Sequence, residues 1–190
     1  GTADYNLVGT DGLSGVSYCE YKEGAGPWVT FASAFQIPTS GSHDLSYRCV
    51  DNAGNVGATS LVRVITDTLP PETISDLVVS ASTYNSATLE WTAPGNDGSG
   101  STVRSASYDV RYSTSPITDD TSFDSAFTVF NVPAPKPVGE TESLEVLGLD
   151  PSTLYYFVVK TKDEAPNTSL LSNVPSIVTS AGFAVNPGDI

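Results

Sequence analysis

The sequence contains no methionine, a single histidine and only two cysteines, and its 22 Asp and Glu outnumber 8 Lys and Arg. Each shortage closes off a class of chemistry. A formal charge of -14 leaves too few cations to displace the counterions of a phosphate backbone, so neither nucleic acid nor an anionic membrane is an expected partner. With His43 as the lone histidine, beside Gly41 and Asp44 and with no second His or Cys at ligand spacing, a zinc site is not expected. The same isolation excludes an ordinary Ser-His-Asp or Cys-His arrangement. Ser14 stands in Gly12-Leu13-Ser14-Gly15 rather than in a Gly-x-Ser-x-Gly elbow, and no glycine-rich phosphate loop ends in Lys. Carboxylate pairs are plentiful, but no pattern selects one for glycoside hydrolysis. The chain is therefore expected not to be an enzyme. No apolar run approaches the roughly 20 residues of a membrane-spanning helix. Without an initiator Met or a signal-like start, it reads as a processed product or an excised piece of a longer protein.

What is present is β-strand punctuation. Hydrophobic residues make up 39% of the 190 positions, enough for a folded chain of one large or two small domains. Glycines and prolines separate short runs rich in Val, Tyr, Thr, Phe and Ile. Apolar residues alternate in Leu45-Tyr47-Cys49, Leu89-Trp91, Tyr108-Val110-Tyr112 and Tyr155-Phe157-Val159. No window carries helical spacing over three turns, so the fold class is all-β with no helix expected. Pro70 and Pro71 cannot donate ladder hydrogen bonds and hold the backbone extended, which marks 68–71 as a short, stiff linker. Residues 1–67 then form a first module and 72–180 a second, with an extended tail or the start of a further linker over 181–190. Counted along the sequence, the first 67 positions hold 7 acids and 3 bases and the rest 15 and 5, so the acidity lies in the second module.

In the second module Tyr155 follows Leu149 by six positions and Pro151 by four, the spacing of a tyrosine corner, whose hydroxyl bonds back to the upstream backbone. Trp91, inward after Leu89, is the expected core anchor opposite it. With Tyr108-Asp109-Val110-Arg111-Tyr112 as the next strand, residues 72–180 resemble a fibronectin type III domain. Pro94–Ser105 and Ser113–Glu140 stand out as insertions relative to it. The first module carries Asp11-Gly12-Leu13-Ser14-Gly15-Val16, Trp28, Phe31, Phe35, Ile37, Tyr47-Arg48 and Asp51-Asn52-Ala53-Gly54-Asn55. On these residues it resembles a bacterial immunoglobulin-like domain. Strands are expected near 4–10, 15–22, 28–32, 34–37, 43–50 and 57–66, one fewer than the usual seven. The two resemblances imply tandem immunoglobulin-like β-sandwiches, the first lacking its opening strand.

Cys19 and Cys49 occupy inward phases of strands expected on either side of the sandwich centre, and in an acidic, Met-free chain that is expected to be exported, a disulfide between them is favoured over two buried thiols. Trp28 would stack on a sugar ring or, by preference, cover the small first core. At one pole of the second module, loop connections would gather Asn96 and Asp97 with Asp163 and Glu164, facing Asp67 and Glu72. Such hard oxygen ligands suit calcium, and the rival reading is solvated surface charge. No other cofactor is expected. The preferred function is a non-enzymatic spacer or adhesive segment of a secreted or cell-surface protein, with neighbouring domains, surface proteins or glycans as partners. One alternative is a filament of identical subunits, in which Phe183 and Val185 of the tail supply the missing strand to a neighbour. The other is an accessory carbohydrate-binding region of a secreted hydrolase, which an exposed, coplanar pair of aromatics would favour.

Overall fold

A computed structural model describes residues 4–165 and 167–182 and divides the chain into two compact units, Gly1–Thr68 and Leu69–Ile190. Both are built of antiparallel β-structure.

The first unit holds β1 (Val16–Glu23), β2 (Val29–Thr30), β3 (Gly41–Asp51) and β4 (Ser60–Thr66), in one sheet of order β2-β1-β3-β4. Residues 4–10 and 34–37, expected as strands, contribute one isolated bridge between Tyr5 and Phe35. Period-two alternation sends Tyr21, Leu45 and Tyr47 to one face, and Phe35 lies flat on Tyr21 with ring centroids 4.0 Å apart. Cys19 and Cys49 form a disulfide, and they are directly opposed partners in the β1–β3 ladder. The expected bridge across a sandwich is therefore corrected to a bridge between neighbouring strands of one sheet. Gly9 passes directly over it: a Cβ there would meet Cys49 Sγ at 2.6 Å and Cys19 Sγ at 2.9 Å. Trp28 is also corrected. It is half-buried on the opposite face, its ring 4.1 Å from the Arg48 guanidinium and 5.2 Å from the Lys22 ammonium.

The turn after β3 depends on Asp51, whose carboxylate accepts from the Ala53 N–H (2.9 Å), the Asn55 N–H (2.8 Å) and the Asn55 amide (2.8 Å). Bonds that favour the charged form hold its pKa down to about 2, the Asn55 side chain first among them. Asn52 reaches across instead, its amide donating to the Ser14 carbonyl at 2.8 Å.

The second unit contains β5 (Val78–Ser82), β6 (Ser86–Thr92), β7 (Ser107–Ser113), α1 (Asp120–Asp124), β8 (Phe127–Thr128), β9 (Thr141–Leu147), β10 (Leu154–Lys162) and β11 (Ser176–Val178). Its two sheets run β5-β6-β9 and β11-β10-β7-β8. Inward residues of both sheets make the core, including Leu89, Trp91, Val110, Val146, Leu149, Tyr155 and Phe157. Trp91 meets Tyr108 of the other sheet edge-on, centroids 5.1 Å apart. The residues 69–72 are tied into this unit: Asn167 donates to the Leu69 carbonyl, Gly98 N–H to Pro70 and Glu72 N–H to Gly95.

The helix α1 was not expected. Asp119 caps it by accepting from the Ser122 N–H at 2.8 Å, while Ser122 Oγ accepts from the Asp119 N–H. Phe123 anchors it, buried with Ile117 and Val158 in a satellite core. Among the described residues no helix is long and apolar enough to cross a membrane.

Candidate functional site

Tyr155 is buried at the start of β10, and its hydroxyl accepts from the Asp150 N–H at 3.0 Å. Leu149 beneath it is buried, and its N–H donates to the Asn85 carbonyl at 3.0 Å. Pro151 opens the exposed turn between them. This corner fixes where β9 ends and β10 begins, and so fixes the spacing of the two sheets.

At the pole of the second unit, Asn96 is buried and donates its amide to Glu164 at 3.2 and 3.3 Å, while accepting from Ser101 Oγ at 2.8 Å. Asp163, also buried, accepts from the Asn167 N–H and the Asn167 amide, each at 2.8 Å. Carboxylate oxygens of Asp97 and Asp163 lie within 4.8 Å of one another. Asn96, Asp97, Asp163 and Glu164 are thus gathered. Glu72 joins this loop through its backbone bond to Gly95. Asp67 belongs to the first unit, directly after β4. Phe183 and Val185 lie outside the described residues.

One buried acid escaped the sequence reading. Glu142, 2% exposed, accepts from the Lys136 N–H at 2.6 Å and from the Tyr108 hydroxyl at 3.2 Å. Burial, reinforced by that carboxylate, pushes the Tyr108 hydroxyl far above its ordinary pKa. No sequence signal marks Glu142 beyond its inward phase between Thr141 and Ser143.

His43 lies within β3, near its start, and is buried. Its Nδ1 is 2.6 Å from Glu23 Oε1 and its Nε2 is 3.0 Å from the Thr39 carbonyl. Two acceptors on one ring call for two N–H donors, which is the imidazolium form. The Glu23 hydrogen bond raises its pKa from the ordinary value, against the opposing effect of burial. A raised folded-state pKa contributes stability that is fully present below the unfolded value of about 6.5 and is lost as pH rises through the folded value. Melting of the first unit should accordingly fall with rising pH above about 6.5. In His43→Gln that slope should flatten. An unchanged slope in the variant would show that another group carries it.

A groove of about 690 Å³ opens between β8 and β9, the outermost strands of their respective sheets. Tyr112, Leu144 and Val146 line its floor, and Phe127, Phe130 and Leu147 its rim. Phe127 pairs with Tyr112 in the ladder and stacks on its ring, centroids 5.4 Å apart at 27°. Phe127 is 62% exposed and Phe130 80%. Both fall inside the stretch read from sequence only as an insertion.

Comparison with known proteins bears on this geometry. The sequence model of the fibronectin type III domain matches residues 70–173. Chitinase A1 of Niallia circulans is 33% identical over 166 residues, covering 84% of this chain and 20% of the chitinase. Exoglucanase B of Cellulomonas fimi is 27% identical over 184 residues, covering 94% of this chain and 14% of the exoglucanase. Among solved structures, the fibronectin(III)-like modules of Clostridium thermocellum CbhA align with a TM-score of 0.51 at 15% identity, over 91% of this chain and 83% of theirs. That likeness concerns the fold alone. The chain thus spans only a small part of the curated relatives it matches.

Proposed function

Because the chain belongs to the fibronectin type III family through its second unit, we propose that it is a non-catalytic, extracellular module of a larger polysaccharide-degrading enzyme. The observation that carries this reading is the chitinase match, which extends beyond the second unit into the first yet occupies only 20% of the relative. What is shared is therefore a two-unit segment of a much longer protein, and fibronectin type III domains are generally non-catalytic. The first unit, in this reading, is an immunoglobulin-like companion to the second. An extracellular setting is supported by the Cys19–Cys49 disulfide, which persists in oxidising compartments.

The test has two arms. The purified chain should release no reducing ends from chitin or cellulose, and the coding sequence adjoining this segment should encode a glycoside hydrolase domain. Turnover by the chain alone would overturn the non-catalytic assignment. Neighbouring sequence made only of further β-repeats and a surface anchor would favour the adhesive spacer instead.

Calcium at the acidic pole forms part of the same proposal. Two oxygens on one calcium ion, each at roughly 2.4 Å, lie at most about 5 Å apart. Asp97 and Asp163 meet that limit. Adding calcium should raise the melting temperature of the second unit by mass action, and Asp97→Asn and Asp163→Asn should lose the response. A flat melting curve across a calcium titration would remove the ion from the account.

A further inference from the structure

Resting on the hydrolase-module reading, we propose that the groove between β8 and β9 docks a neutral polysaccharide chain, with sugar rings laid against Phe127 and Phe130. The two rings leave large apolar surfaces in water on one groove, and exposed apolar patches, unlike single scattered residues, mark interaction sites. Phe127 is held in place from below. It stacks on Tyr112, which packs edge-on against Tyr155 at 5.7 Å, so the core itself fixes the platform.

The chemistry of the lining selects the occupant. A pyranose ring offers an apolar C–H face and a rim of hydroxyls. The groove offers aromatic faces, and the outer edges of β8 and β9 turn unladdered backbone donors and acceptors toward it. Its volume falls within the usual range of about 300–1,000 Å³ for ligand sites. Glu145 is the single charged residue of the lining. With a formal charge of -14 on the chain, an acidic polymer is repelled, and one carboxylate is a poor match for a strongly basic one. A β-strand from another protein is the competing occupant. Its ladder would be two residues long on β8 or at most seven on β9, and its backbone would need that ladder, whereas sugar hydroxyls use isolated donors and acceptors.

The experiment is affinity electrophoresis of the full 190-residue chain through gels containing hydroxyethylcellulose, glycol chitin or polygalacturonate. Retardation is expected in at least one of the two neutral polymers and not in the anionic one. Phe127→Ala/Phe130→Ala should weaken binding about tenfold, or about 1.4 kcal/mol, with its melting temperature retained. Phe130→Ala alone, at an exposed position, keeps the test valid if the double variant misfolds. Trp28→Ala, in the first unit, should leave binding unchanged. Free migration of the wild type in both neutral gels would overturn the proposal, while the hydrolase-module reading would still be judged by its own adjoining domain. Equal retardation of wild type and variants would also overturn it, as would loss of binding in Trp28→Ala. Self-association abolished by the same phenylalanine substitutions would reassign the groove to a strand partner.

Discussion

Replacing Cys19 and Cys49 together by alanine should destabilise the first unit by about 3–4 kcal/mol, the loss of chain-entropy restraint expected for closing a loop of that length. The two cysteines are separated by 30 residues. A small unit has little else to compensate with, because it buries a smaller fraction of its surface than a larger domain does. Val29 and Val62, on the same sheet face as Tyr21 and Tyr47, remain 46% and 43% exposed. The segment carrying Gly9 also packs on the two sulfurs, so their removal leaves it without its contact surface. Each unit contains one tryptophan. In a Trp91→Phe background, Trp28 fluorescence therefore reports the first unit alone during denaturant titration. A midpoint shift equivalent to less than about 1 kcal/mol would show that the β1–β3 ladder is self-sufficient.

The limits of the sequence reading follow from what each residue encodes locally. Tyr155, Leu149 and Trp91 were legible because the corner is a fixed short spacing and strand alternation gives inward phase. Cys19 and Cys49 were legible as a pair but not as neighbours. Alternation states which face a residue takes and says nothing about which strand lies beside it, so the direct opposition of these two in one ladder could come only from the fold. The helix α1 is five residues long, too short for periodicity to register, and Ser122 closes its capping box where Glu or Gln is the usual signal. The strands expected over 4–10 and 34–37 have the apolar content of strands but meet each other at a single bridge. At the acidic pole the sequence named the residues that meet, yet not the network around them. Asn96 donates to Glu164, and Asn167 holds Asp163, across loop contacts that no spacing rule predicts. The groove was hidden for a related reason. Phe127 and Phe130 lie in an apparent insertion, and become a surface only when β8 pairs with β7 and stands opposite β9.

Trp91→Ala should cost the second unit about 3–5 kcal/mol, the range for truncating a buried tryptophan or phenylalanine. Trp91 is 3% exposed and lies on β6, the central strand of its sheet. Its ring meets Tyr108 of the facing sheet edge-on, so truncation opens a void between the layers rather than at their margin. The void sits beside a polar pair, because the Tyr108 hydroxyl donates to the buried Glu142. A loosened Tyr108 leaves Glu142 with fewer donors in a site that water reaches poorly, which adds to the cavity cost. For a domain whose whole stability is of order 5–15 kcal/mol, that is a large fraction. Guanidinium unfolding followed by far-ultraviolet circular dichroism reads the change, with Trp28 fluorescence as the internal reference for the first unit. Trp91→Phe keeps an aromatic edge against Tyr108 and should lose distinctly less. If the alanine and phenylalanine variants unfold together, and both within about 1 kcal/mol of wild type, the contact between Trp91 and Tyr108 is not what joins the two sheets.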